Sequence, residues 1–261
     1  MEKMVKKDKA YYNEFFRTFF VAILVALVFR SFVYEPYHVP SGSMKPTLID
    51  GDYIFVSKFA YGYSRYSLPL GFNLFSGRIA EFGTPERGDV IVFRNPYNPS
   101  VNYIKRLIGL PGDKIQIMNG VIYINGVAVE QIRRGIFIDS NDRHIEKYIE
   151  VLPNGVSYNV LKEKNRGPFD NTKVYIVPKD KYFFMGDNRD NSIDSRFLDK
   201  VGYVPQVNIV GKAELIFFSS KSSLWAIWTW LYDLNLGRFF NKLSPQKTSG
   251  NNFEEVTYRA N

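Results

Sequence analysis

The first residues able to do chemistry lie in a short segment between Pro40 and Pro46 that contains Ser41, Gly42 and Ser43. The prolines stiffen the chain, and Gly42 lets the backbone approach a ligand while two hydroxyls lie beside free N–H groups. Ser43 is therefore a candidate nucleophile. Taken alone, the same residues are also typical of an ordinary surface loop.

A lysine with apolar neighbours, Lys105, lies in a second segment of interest, residues 101–113. In a strand, alternate residues share a face, so Lys105 lies with Val101, Tyr103 and Leu107, while Arg106 points the other way. Burial on an apolar face disfavours the ammonium and lowers its pKa, which turns a lysine into a usable base. The alternative is a lysine that extends from a strand edge into water.

A dense polar run, residues 186–196, follows the apolar strand predicted at 182–185. Its spaced carboxylates are compatible with a metal loop. Arg189 and Arg196 would compete with a cation for those carboxylates, so an internally paired network that holds Ser192 fits better.

Composition limits the remaining chemistry. The 261 residues contain no cysteine and two histidines, His38 and His144, which excludes thiol nucleophiles, disulfides and thiolate metal sites. A hydrophobic content of 45% and a charged content of 23% indicate a folded protein of one or two domains. The catalytic groups must come from Ser, Thr, Lys, Tyr and carboxylates, and we expect no cofactor and no metal.

A transmembrane helix is predicted near the amino end. Residues 18–29 carry no charge. The stems of Arg17 and Arg30 can snorkel to the interface, and the apolar residues beyond them extend the segment to 15–35, which is long enough to cross a bilayer. A cleaved export signal is the competing interpretation, but no pair of small residues follows at the spacing of a cleavage site. We expect one retained span.

The charges predict the orientation of this span. Five basic residues against three acidic ones precede the uncharged stretch 18–29, which places residues 1–14 in the cytoplasm and residues from 36 onward on the outer side. Residues 1–17 carry +2 of the net charge of +8, and the +6 that remains on the rest of the chain suits a domain close to anionic headgroups. An exported domain would rarely meet nucleic acid, so we expect a lipid bilayer and no nucleic acid among the partners.

Beyond the span, the pattern predicts a mostly antiparallel β domain at residues 36–220. Strands are predicted at 52–59, 89–94, 101–109, 114–118, 121–124, 173–177, 182–185 and 209–218. The Asn-Gly pairs at 119–120, 125–126 and 154–155 are typical of tight hairpin turns. Residues 61–85 are predicted to form a long loop, and residues 131–171 an inserted smaller β region with its own hairpin.

The C-terminal part, residues 221–261, has a different character. Residues 224–240 contain all three tryptophans among apolar neighbours, which favours a segment at the membrane interface, with an aromatic flap packed on the β core as the alternative. Residues from 244 onward are predicted to be a flexible tail.

Four segments resemble the conserved boxes of bacterial type I signal peptidases, also called leader peptidases. They are residues 40–46, 101–113 and 186–196, described above, and residues 87–93. The resemblance covers residues 34–219. It implies a β-rich Ser/Lys protease on the outer face of the bacterial cytoplasmic (inner) membrane, held by a single span, which removes signal peptides from exported preproteins after small residues at −1 and −3.

By position, the resemblance implies that Ser43 is the nucleophile and Lys105 the general base, with the Ser41 hydroxyl and the Ser43 N–H as the oxyanion hole. It implies that Ser192 orients the lysine. It also implies support by Asp194 and Arg196, with Asp187, Arg189 and Arg106 alongside. The implied substrate pocket is lined by Tyr37, Val39, Met44, Leu48, Ile54, Val92, Tyr103 and Ile104.

Two departures and three rival interpretations remain. Some members of the family have two spans and a cysteine pair, whereas this chain has one candidate span and no cysteine. A protease that uses His38 as base would lack an evident acid partner. A self-cleaving Ser/Lys repressor would need a DNA-binding domain instead of an anchor. A membrane-tethered β module that binds partners without catalysis is the alternative from a different class.

Overall fold

A computed structural model describes residues 2–67, 77–80, 82–139, 141–163, 167–220, 222, 228 and 230–247. Its single long helix is α1, Glu2–Phe32. Within it, Tyr11–Phe32 has a mean hydropathy of 1.9 and is long and apolar enough to cross a membrane. The 22 residues correspond to about 33 Å of helix, close to the thickness of a hydrocarbon core. The helix ends at Phe32 and not at the predicted residue 35, because the chain enters a strand at Tyr34.

The main sheet has seven strands, and every pairing in it is antiparallel. Its order is β1-β2-β16-β5-β6-β14-β15. The strands are β1 (Tyr34–His38), β2 (Asp52–Ser57), β5 (Val90–Arg94), β6 (Asn102–Gly109), β14 (Lys181–Met185), β15 (Val204–Pro205) and β16 (Ile209–Ser219). The prediction of a mostly antiparallel β fold behind one apolar helix is confirmed.

Two four-stranded sheets extend this core. One has the order β13-β7-β8-β9, and the other has the order β10-β11-β12-β17. The first contains β7 (Lys114–Met118), β8 (Val121–Ile124), β9 (Val127–Ala128) and β13 (Tyr175–Ile176). Asn119, Gly120, Asn125 and Gly126 all have positive φ, as the predicted two-residue hairpin turns require.

The second small sheet corresponds to the predicted insertion and is larger than one hairpin. It contains β10 (Glu130–Ile138), β11 (His144–Val151), β12 (Val156–Lys162) and β17 (Gln246–Lys247). Its last strand belongs to the tail that was predicted to be flexible from residue 244. Residues 246–247 instead pair with the start of β12, because that strand would otherwise leave backbone groups unpaired at the sheet edge.

The predicted long loop at 61–85 is structured at both ends. It contains β3 (Tyr63–Ser64), paired with β4 (Arg78–Ile79), and residues 68–76 and 81 lie outside the described residues. The Arg78 guanidinium donates hydrogen bonds to four backbone carbonyls, which ties the loop to the domain. These carbonyls belong to Tyr61, Gly62, Gln206 and Ile209.

The tryptophan-rich segment falls partly outside the described residues, because 221, 223–227 and 229 are not among them. A short helix, α2 (Trp230–Asp233), is described, and Trp228, Tyr232 and Phe240 are largely exposed. Arg238 and Leu243 are buried, so the end of this segment packs on the domain.

Candidate active site

The serine segment forms a short 3-10 helix, Gly42–Met44, directly after β1. Met44 and Leu48 are fully buried in the hydrophobic cluster beneath it, and they fix the segment from below. From the other side, the backbone N–H of Asn188 donates to the carbonyl of Ser43 at 3.1 Å, and its side-chain amide donates to the carbonyl of Gly42 at 3.0 Å. The backbone on which Ser43 sits is therefore held on two sides.

Lys105 reaches the same point from β6, in the middle of the main sheet. Its Nζ lies 2.7 Å from Ser43 Oγ and 2.9 Å from the carbonyl oxygen of Ile104. Ser41 Oγ lies 3.3 Å from Ser43 Oγ. The candidate nucleophile, base and first oxyanion donor thus come together from segments separated by 62 residues.

Burial sets the proton affinity of this lysine. The Lys105 side chain is buried, and desolvation lowers its pKa from 10.5 to about 8. The carboxylates of Asp194 and Asp187 act in the opposite direction, whereas Arg196 adds to the lowering. Desolvation is the dominant effect because each nearby carboxylate is already paired with an arginine.

The polar run 186–196 was predicted to be an internally paired network, and this holds only in part: Arg196 pairs with Asp194 inside the run, whereas Asp187 and Arg189 pair with residues outside it. Arg196 binds Asp194 through two hydrogen bonds of 2.8 Å, and Asp194 also accepts from the Gly186 N–H at 2.9 Å and from Ser192 Oγ at 2.8 Å. Burial alone would raise the pKa of Asp194, but Arg196 and these hydrogen bonds hold that pKa below its ordinary value. Ser192 lines the same cavity as Lys105, although its hydroxyl donates to Asp194 and not to the lysine.

A second buried pair joins β6 to the polar run. Arg106 donates to Asp187 from Nε at 2.8 Å and from Nη2 at 2.6 Å. Thr47, four residues after Ser43, donates from Oγ1 to the same carboxylate at 2.5 Å. Asp187 therefore links the strand that carries the base to the loop that carries the nucleophile.

A third pair brings in the inserted sheet. Arg189 binds Glu150 of β11 through two hydrogen bonds of 2.5 Å, and Tyr158 of β12 donates to the same carboxylate at 2.8 Å. The sequence gives no sign of Glu150, since it lies in a charged segment 39 residues from its partner. None of these arginines or carboxylates hydrogen-bonds to Lys105 Nζ or Ser43 Oγ, whose partners among the described residues are each other, the Ile104 carbonyl and Ser41 Oγ. Among the described residues, no group of His, Asp and Glu side chains is arranged to hold a metal ion.

A groove of about 530 Å³ opens onto Ser43 and Lys105. Six of the eight residues predicted for the pocket line it: Tyr37, Val39, Ile54, Val92, Tyr103 and Ile104. Met44 and Leu48 do not line the groove, because both side chains point into the core. The lining also includes residues absent from the prediction: His38, Pro40, Val101, Asn102, Asp190, Asn191, Ile193 and Phe197.

The histidine alternative has little support in the geometry. The ring of His38 packs against Tyr53 with centroids 4.6 Å apart, and His38 is exposed at the edge of the groove. The side chain hydrogen-bonded to Ser43 Oγ from across the site is Lys105.

Comparisons with known proteins indicate the family of this chain. The model of the family described as signal peptidase, peptidase S26, matches residues 12–218. A signal peptidase I from Rickettsia typhi (strain ATCC VR-144 / Wilmington) is 43% identical over 257 residues, which cover 91% of this chain and 96% of the relative. One from Rickettsia bellii (strain OSU 85-389) is 44% identical over 217 residues, covering 80% and 74%. A crystal structure of a signal peptidase I from Enterococcus faecalis V583 is 29% identical, with a TM-score of 0.31, and covers 49% of this chain and 96% of that chain.

Proposed function

Because the chain belongs to the signal peptidase I family, peptidase S26, a family of serine endopeptidases, we propose that it removes signal peptides from exported preproteins. In this proposal Ser43 is the nucleophile and Lys105 is the general base. The observation that carries the proposal is the 2.7 Å separation of Lys105 Nζ and Ser43 Oγ. It is joined by a lysine pKa of about 8, which leaves a usable neutral fraction near neutral pH.

In the proposed reaction, neutral Lys105 accepts the proton of the Ser43 hydroxyl while Oγ attacks the scissile carbonyl. The oxyanion is held by the Ser41 hydroxyl and the Ser43 N–H. The lysine ammonium then gives its proton to the leaving amine, which leaves the substrate's acyl group on Ser43. Water, deprotonated by the same lysine, hydrolyses this ester and regenerates both groups.

The groove supports specificity for small residues. A substrate in extended conformation directs its −1 and −3 side chains to the same face, because side chains alternate along a strand. On that face they would meet the buried side chains of Val39, Ile54 and Val92, which leave little room for bulky groups. Alanine-like residues at both positions therefore fit, and larger ones are excluded.

Free strand edges beside the groove support an extended substrate. Among the described residues, β1 pairs with β2 alone and β6 pairs with β14 from Arg106 onward, so residues 102–105 have a free edge on the groove side within the described part of the chain. Backbone hydrogen bonds to one or both edges would align the scissile bond regardless of side-chain sequence.

Helix α1 supports a membrane anchor with a cytoplasmic N-terminus and a catalytic domain on the outer side of the bacterial cytoplasmic membrane. The basic residues before the span favour this orientation. In this orientation Ser43, 11 residues after the helix end at Phe32, would lie close to the membrane surface from which a signal peptide emerges.

The test is cleavage of a synthetic peptide with Ala-X-Ala before its scissile bond by the purified full-length protein. Ser43→Ala and Lys105→Met should each abolish cleavage, and the double variant should be no worse than either single one, because the pair acts as a unit. Normal turnover by either single variant would reject the dyad. A non-catalytic binding module would keep its partner binding in both variants and cleave nothing in the wild type.

A further inference from the structure

Residues 234–243, here called the C-terminal strap, lie along the part of β16 that β5 leaves uncovered. β5 pairs with β16 only at its start, from Ile209 to Lys212. Beyond that point the strap supplies the missing hydrogen-bond partners. Its N–H groups at Asn235, Phe240 and Leu243 donate to the carbonyls of Ser219, Ile216 and Glu214 at 3.1, 2.7 and 2.7 Å.

Arg238 of the strap is the largest fully buried side chain of the described residues, 2% exposed. It donates to Asp52 from Nε at 2.9 Å and from Nη2 at 2.6 Å, and Nη2 also lies 3.0 Å from the carbonyl oxygen of Thr47. Asp52 further accepts from Ser219 Oγ at 2.8 Å and from the Ile49 N–H at 2.9 Å. Every bond of this cluster fixes the same short piece of chain.

That piece is the nucleophile loop, residues 43–52. Asn188 holds its start through the Ser43 carbonyl, and Asp187 holds its middle through the Thr47 hydroxyl. Arg238 holds the middle from the opposite direction, through the Thr47 carbonyl, and closes the end at Asp52. Arg238 of the strap therefore adds three hydrogen bonds to this loop, beside those from the polar run 186–196 and from Ser219 of β16.

We propose that Arg238 is a positioning residue for Ser43, and that the C-terminal strap clamps the nucleophile loop in its reactive geometry. The inference rests on the proposed function, because it assumes that Ser43 attacks. A bidentate arginine–carboxylate pair adds geometric specificity. A buried ion pair adds little net stability compared with apolar packing. Specific geometry is thus the property that this pair is best suited to supply, and misplacement of a nucleophile by ~1 Å costs about 100-fold in rate.

The experiment compares peptide cleavage by full-length protein in detergent micelles for the wild type, Arg238→Gln, Arg238→Lys and the paired change Asp52→Asn with Arg238→Gln. The paired change leaves no unpaired charge in the core. Tyr61→Phe is the matched control, because it removes a buried hydrogen bond of 2.6 Å to Asp89 that does not touch the nucleophile loop. Circular dichroism defines a temperature at which every variant compared is folded.

We expect Arg238→Gln and the paired change to lower kcat by about 10- to 100-fold with little change in KM. Arg238→Lys should be intermediate, since a lysine keeps the charge but not the fork. The pH at which kcat/KM rises should not change, because Arg238 is not among the groups that set the pKa of Lys105. If Arg238→Gln does not fold, the kcat values of Arg238→Lys and of the paired change test the inference in its place.

An unchanged kcat in the folded Arg238 variants, or an equal fall in Tyr61→Phe, would overturn the inference and leave Arg238 a purely structural residue. Ser43→Ala, measured in the same series, separates this failure from a failure of the proposed function. An active Ser43→Ala protein rejects the function itself. An inactive Ser43→Ala protein together with fully active Arg238 variants rejects only the positioning role of Arg238.

Discussion

The pH dependence of cleavage follows directly from the burial of Lys105. With a pKa of about 8, the neutral fraction is about 1% at pH 6, about 9% at pH 7, about 50% at pH 8 and about 91% at pH 9. We expect kcat/KM to rise roughly tenfold per pH unit below pH 7 and to level off above pH 9. The assay is initial-rate cleavage of a peptide that has no ionisable group in this range.

A second lysine provides the control for this assignment. Burial also lowers the pKa of Lys162 to about 8, and its Nζ lies 3.9 Å from Glu150, away from Ser43. Lys162→Met should therefore keep the rising limb, whatever it does to the maximal rate. Two results would refute Lys105 as the base. One is loss of the rise of kcat/KM with pH in Lys162→Met. The other is a rise centred near the ordinary histidine pKa of about 6.5 that is lost in His38→Gln.

The same lowered pKa has a consequence for stability. The unfolded chain binds the lysine proton more tightly than the folded protein, so stability rises as pH rises from the folded pKa of about 8 to the unfolded value of 10.5. Below pH 8 both states are protonated, and the folded protein bears the full cost, on the order of 3 kcal/mol. Lys105→Met should remove this cost, so the inactive variant should resist denaturant better than wild type at pH 6, with the difference shrinking toward pH 10. Equal pH dependence in both proteins would contradict the lowered pKa.

Four further perturbations test the surroundings of the dyad. Arg196→Gln removes a charge that lowers the pKa of Lys105 and releases Asp194 to raise it, so the rising limb should move to higher pH. Glu150→Gln removes the carboxylate that pairs with buried Arg189 and should cost on the order of 3 to 5 kcal/mol of stability, measured by denaturant unfolding, with a lower kcat. Ile54→Ala widens the groove and should let peptides with valine at −1 or −3 be cleaved. Removal of residues 1–32 should leave a folded domain that cleaves soluble peptides but cleaves membrane-inserted preproteins poorly, because anchoring supplies effective concentration.

Each of these changes has a result that would contradict its reasoning. A limb that moves to lower pH in Arg196→Gln would mean that the charges act on Lys105 with the opposite sign. Unchanged stability in Glu150→Gln would make the Arg189 pair dispensable. Loss of alanine cleavage in Ile54→Ala, without gain of valine cleavage, would indicate damage to the core. An unfolded protein lacking residues 1–32 would make the helix part of the domain.

Short-range patterns in the sequence were informative about the site, and long-range pairings were not. Alternation along β6 identified Lys105 because a charged residue stood among apolar ones on one face. The polar run was interpreted as a paired network because its arginines lie among its carboxylates. Glu150 and Arg238, by contrast, meet partners 39 and 186 residues away, which no local pattern encodes.

The pocket lining shows a related limit. Met44 and Leu48 follow the candidate nucleophile in the sequence, and apolar side chains near a nucleophile can either line the pocket or anchor the loop. The 3-10 turn at Gly42–Met44 directs Met44 into the core, and Leu48, four residues further on, is buried in the same cluster. Asn102 and Ile104 line the groove with Tyr103 although they alternate with it, because the groove follows the edge of β6. Alternation distinguishes the two faces of a strand but does not describe its edge.

The arrangement of charge around Lys105 explains how a lysine can act as a base beside so many carboxylates. A free carboxylate near the ammonium would stabilise the charged form and raise the pKa. Here the two carboxylates that act on Lys105, those of Asp187 and Asp194, each lie against a guanidinium, so that most of each negative charge is cancelled locally and desolvation prevails. The pairs are Arg106–Asp187 and Arg196–Asp194. Because Asp187, Asp194 and Arg196 come from the polar run 186–196, that run must be packed against β6 before the charges around the lysine are balanced. The reactivity of the base is therefore a property of the assembled domain and not of the two catalytic segments alone.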